Sequence, residues 1–142
     1  PQYANGLEKA GPQAQAKAQI EIANEAYTVV QSLPGSYTAA LTKLVESSGM
    51  KVEDIAAETG VSAKTLKGMM KDDKDRGCYE NLAYVCLSLQ LHPVLSGYLI
   101  ERSPWKCDFR NKLNVALHEA LCHFYGHRME YIHAKIASFV AE

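Results

Sequence analysis

The chain has 142 residues, 47% apolar and 22% charged, and its 15 Lys+Arg against 16 Asp+Glu leave a formal net charge of −1. That length supports about one domain whose core needs neither disulfides nor a metal staple, and the composition excludes a wholly disordered chain. Near-neutrality means that any surface for nucleic acid has to be local rather than spread over the whole molecule.

No apolar run reaches the roughly 18–20 residues that a membrane span needs, and no basic segment leading into an apolar one opens the chain. The expected location is therefore the cytoplasm, with no membrane partner. Cysteines at 78, 86, 107 and 122 form no C-x-x-C pair, which fits free thiols in a reducing compartment.

Residues 1–13 are rich in Gln, Ala, Gly and Pro and read as a linker or arm. From Ala14 the spacing turns helical, with Ile20, Ala23, Tyr27 and Val30 three and four residues apart on one expected apolar face. Leu33-Pro34-Gly35 stops that helix, and Ser36 caps a second one through about Ser47 that buries Ala40, Leu41, Leu44 and Val45. Two short helices follow, at about 52–59 and 63–71, separated by Gly60-Val61-Ser62. The polar run from Asp72 to Gly77 has no apolar period and is expected to be a loop. Tyr79 to Leu89 is periodic again, with Leu82, Val85, Cys86 and Leu89 on one face.

Pro93 suits the first turn of a further short helix carrying Leu95, Tyr98 and Leu99. Trp105, with Tyr98 and Phe109, is expected to form an aromatic anchor within the core. A long helix is expected over 109–125, burying Leu113, Leu117, Leu121 and Phe124. A last one from Arg128 carries Met129, Ile132, Ile136, Phe139 and Val140. These last two are expected to pack on each other and on the N-terminal helix, with homodimerisation as their functional reading. No segment alternates like a strand, so the fold class is all-α.

The stretch Val52 to Lys71 carries the most information. Ala56 permits close helix approach, Gly60 suits a left-handed turn, Val61 plugs the corner and Ser62 caps the next helix. Ile55, Leu66 and Met69 then point into a shared core. This set of sizes and spacings is the helix-turn-helix pattern.

Over about 37–100 the chain resembles the phage-repressor family, the Cro/lambda-repressor-like or XRE-type helix-turn-helix proteins. The residues that carry the resemblance are Ile55-Ala56, Gly60-Val61-Ser62, Thr65-Leu66, and then Leu82, Val85 and Leu89. It implies a lambda-repressor-like five-helix module at 36–106, between an N-terminal arm and helix at 1–35 and a C-terminal helical pair at 107–142. It also implies a DNA-binding transcriptional regulator, not an enzyme, that acts on double-stranded DNA as a homodimer and requires no cofactor or metal.

The DNA-contacting residues that follow are Ser62, Ala63, Lys64, Thr65, Lys67 and Lys71, with residues 62–71 in the major groove. Lys64, Lys67 and Lys71 fall at i, i+3 and i+7 on one stripe, which Lys74 and Arg76 extend. Hydroxyls of Ser62 and Thr65 are suited to backbone phosphates.

Val52 and Ala63 stand where the family commonly has polar contacts, and residues 36–106 hold 9 basic and 9 acidic residues. Both features support the alternative, an interaction or dimerisation module whose helix-turn-helix no longer reads DNA. Leu89-Gln-Leu-His-Pro-Val-Leu-Ser96 and the helices after it look like the tails of bacterial regulators, some fused behind a metallopeptidase-like domain. That similarity implies a further domain upstream of this segment.

His118-Glu119-Ala120-Leu121-Cys122-His123 resembles a zinc-protease signature only superficially. Its histidines are five apart rather than four and leave the helix on different faces. His118 with Cys122, and His123 with His127, have the right spacing but no third ligand. His92 reads as a turn residue.

Overall fold

The computed structural model describes residues 11–71 and 76–142. Among them the fold is all-α. Its helices are α1 (Pro12–Ser32), α2 (Tyr37–Ser48), α3 (Val52–Thr59), α4 (Ala63–Met70), α5 (Tyr79–Ser88), α6 (Pro93–Arg102), α7 (Lys112–His123) and α8 (Met129–Ala141).

The boundaries follow local chemistry. Ser36 Oγ accepts from Ala39 N–H to start α2, and Gly49 closes it at φ 75°. Pro93 opens α6 behind His92, whose Nδ1 accepts from Val94 N–H at 3.1 Å. Burial pushes the His92 imidazole below its usual pKa, which suits that acceptor role. After α5, Leu91 N–H reaches Cys86 O and Gln90 takes φ 55°, a Schellman-type ending with Gln in the glycine position.

One apolar cluster joins all the helices. Leu41, Ile55, Leu66, Leu82, Leu99, Leu117 and Ile132 are fully buried in it. The packing runs α2 and α3 against α4, α3 against α5, α5 against α7, α7 against α8, and α1 against α6. The turn between α1 and α2 is tied down by Tyr98 Oη donating to Pro34 O at 2.9 Å and by Arg102 donating to Gly35 O.

Five expectations need correction. α1 starts at Pro12, and its inner face is Ala26 with Val30 and Leu33 rather than Ile20 and Tyr27, which are 61% and 59% exposed. Apolar residues occupy more than half of the circumference of α1, so spacing alone could not choose the side. α1 also packs chiefly on α6, not on the C-terminal pair.

The helix expected over 109–125 is confined to Lys112–His123. Asn111 Oδ1 accepts from Asn114 N–H, and Asp108 Oδ1 accepts from Arg110 N–H, so a polar turn replaces the first helical turn. The expected aromatic anchor divides. Trp105 meets Tyr37 edge-to-face at 5.6 Å, whereas Phe109 is 65% exposed with its ring against His118. Phe139 and Val140, expected on the inner face of the last helix, lie outward near its end, where only Met129, Ile132 and Ile136 are buried.

Candidate nucleic-acid interface

The two eight-residue helices α3 and α4 meet at a turn built as its residues require. Gly60 ends α3 at φ 81°, a conformation costly for any side-chain-bearing residue. Buried Thr59 Oγ1 donates to Ile55 O at 2.7 Å and accepts from Val61 N–H at 3.1 Å, which satisfies the turn from inside. Val61 is 4% exposed and fills the corner. Ser62 Oγ accepts from Thr65 N–H at 3.0 Å and starts α4.

Leu66 and Met69 anchor α4 inward, at 0% and 1% exposure. At its last turn Met70 O lies 3.3 Å from Thr42 Oγ1, whose proton goes chiefly to Thr38 O at 2.8 Å. With the inner side fixed in this way, Lys64, Lys67 and Lys71 are exposed on the outer side. Together with Arg76 they line an open concavity of about 450 Å³ whose floor includes Gly68. Lys74 lies outside the described residues, as do Asp72, Asp73 and Asp75.

Ser62, Ala63 and Thr65 are not part of that concavity and sit at the N-terminal end of α4. Ser62 Oγ already donates to Thr65 Oγ1 at 2.8 Å, so of the two hydroxyls only that of Thr65 keeps a proton for an external acceptor. Ala63 is half-buried, without a polar group to offer.

Glu53, in the first turn of α3, approaches Lys67 Nζ at 3.5 Å. Its carboxyl is held below the usual carboxylate range by its own backbone amide and by the Lys67 charge. Both side chains are more than half exposed, so the pair is weak, and Lys67 remains available to a competing anion. Helical spacing does not mark this acid as a partner of Lys67, because the two stand on different helices of the same short motif.

The histidine and thiol pairs form no larger constellation. Cys122 Sγ and His118 Nε2 are 3.9 Å apart, and burial pushes the Cys122 thiol up, away from the thiolate that a metal would need. His123 pairs with Glu119, and His127 stacks on Tyr131. Among the described residues no group of three or more His, Cys, Asp or Glu converges as a metal site would require. No described helix is long and apolar enough to cross a membrane.

No family model, curated protein or solved structure matches this chain.

Proposed function

We propose that this chain is a DNA-binding regulator of the repressor-like helix-turn-helix type, with residues 62–71 as the helix presented to the major groove. The observation that carries the reading is the outward cationic face of α4, where Lys64, Lys67, Lys71 and Arg76 border one concavity. The α3–turn–α4 unit supports it, since its Gly60 turn, Val61 plug and Ser62 cap are what the resemblance requires.

Affinity from such a face is chiefly electrostatic. Lys64 and Lys67 neutralise backbone phosphates, Thr65 donates a hydroxyl that fixes register, and Ala63 offers only a methyl contact to thymine. Sequence preference is therefore modest for one chain. Two copies binding adjacent half-sites supply the remainder.

The test is Lys64→Ala combined with Lys67→Ala in a duplex titration at several salt concentrations. The double variant binds all sequences more weakly, with a log–log salt slope lower by about two, near 0.9 per lost phosphate contact. An unchanged slope rejects the reading.

A second reading is favoured by exposed Ile20 and Tyr27, one helical heptad apart on α1, and by the pairing of Lys67 with Glu53. Under it the unit serves protein association and the lysines keep it soluble. The salt series separates the two readings, because a solvated lysine face confers no duplex affinity.

A further inference from the structure

We propose that Arg76, laid across Gly68, is the fourth cation of a seat for a phosphate group, and that Gly68 is the residue that positions it. The seat rests on the DNA reading for the source of that phosphate, a duplex backbone.

Gly68 sits inside α4, where glycine is a poorer helix former than alanine. Space explains its use. A Cβ at position 68 would overlap Arg76 Cγ and stand 2.9 Å from Arg76 Cβ and 3.4 Å from Cδ. Those atoms are the root of the arginine side chain, which cannot swing aside as its tip could. Arg76 therefore crosses the helix surface at the one position that lacks a side chain.

The chain after Arg76 is pinned as well. Gly77 has φ +92°, and a Cβ there would stand 2.7 Å from Trp105 Cη2 and 2.8 Å from Met69 Cγ. Met69 is buried and Trp105 is packed on Tyr37, so the backbone that delivers Arg76 runs against fixed surfaces.

The consequence is a concavity with cations from two separate stretches of chain. Lys64, Lys67 and Lys71 border it from the helix, and Arg76 arrives from the segment beyond. A phosphate presents several acceptor oxygens in different directions. A planar guanidinium takes two of them at once, while ammonium groups act as point charges on the others. Three lysines on one helix face make only a stripe, and the crossing arginine gives the open concavity a second cationic side.

The experiment uses the full chain with two probes, random-sequence duplex DNA at several salt concentrations and inorganic phosphate followed by amide NMR shifts. Gly68→Ala and Arg76→Ala each weaken duplex binding roughly five- to tenfold and lower the salt slope by about one. Combined, they bind no more weakly than Arg76→Ala alone, because Gly68 acts through Arg76. Arg76→Lys restores the slope, and Gly68→Ala stays folded but melts somewhat lower than the parent, a loss that Arg76→Ala partly relieves in the double variant.

Gly68→Ala that binds duplex like the parent overturns the proposal. So does Gly68→Ala that weakens binding as much without Arg76 as with it. If the parent ignores duplex but inorganic phosphate shifts the amides of Lys64, Lys67 and Arg76, the DNA reading fails and the seat stands. If duplex binding survives both substitutions unchanged, the seat fails and the DNA reading stands. Silence with both probes removes both.

Discussion

In Ser62→Ala, Thr65 N–H loses the acceptor it has at 3.0 Å, and Thr65 Oγ1 loses a donor at 2.8 Å. α4 is eight residues long, so its N-terminal cap is a large part of what fixes its start. Loss of a serine cap costs about 1 kcal/mol, within a range of roughly 0.5–2. Both freed groups lie at the surface, where water takes them up, which keeps the cost near the middle of that range. For a chain of this size the melting temperature falls by about 2–4 °C.

Ser62→Asp separates stability from binding. A carboxylate keeps the cap and adds a charge that the helix dipole favours by about 0.3–1 kcal/mol, so this variant melts at or above the parent. The same charge stands at the helix end offered to phosphates, and duplex affinity falls below that of Ser62→Ala. Calorimetry and a mobility-shift titration on the three proteins measure both quantities. A Ser62→Asp protein that melts normally and binds duplex as the parent does refutes the placement of this helix end against DNA.

Two glycines with positive φ respond differently to alanine. Gly60 has open space around it and bears only backbone strain of roughly 1–2 kcal/mol, whereas Gly77 adds overlap with Trp105 and Met69, so urea midpoints fall further for Gly77→Ala than for Gly60→Ala. Tyr37 is 8% exposed and its hydroxyl has no partner among the described residues. Tyr37→Phe removes that unpaired group and is neutral or stabilising by about 1 kcal/mol in the same assay.

Burial pushes the Cys86 thiol up to about 12, and the unfolded chain restores its ordinary value of 9.0. The folded state then holds a proton that the unfolded state releases. This contribution is complete below pH 9 and is lost as pH rises toward 12. Denaturation midpoints fall across that interval less in Cys86→Ala than in the parent, and alkylation at pH 8 reaches Cys78, Cys107 and Cys122 before Cys86.

Where local chemistry decides, the sequence was legible. Ser36, Gly49, Gly60, Ser62 and Pro93 all punctuate the helices where their side chains or missing side chains demand it. α3 has the bounds the spacing predicts, and the inward set Ile55, Leu66 and Met69 is buried as expected. What failed depended on tertiary choice. The side of α1 that turns inward is set by the surface of α6, and the start of α7 by side-chain bonds among Asp108, Asn111 and Asn114.

The candidate interface divides in the same way. The lysine stripe was visible from helical period alone, and Arg76 as an extension of it from the polar run that follows. Its passage over Gly68 was not visible, because the two positions meet only once the turn before α5 is packed beneath Trp105.

Trp105 is the chain's single tryptophan, and its indole abuts both Tyr37 and the backbone one residue beyond Arg76. Its emission is therefore a native, label-free reporter of that junction. A shift in wavelength or quenching by iodide follows the packing of Gly77 against the indole, separately from the melting of the core that the far-ultraviolet signal records.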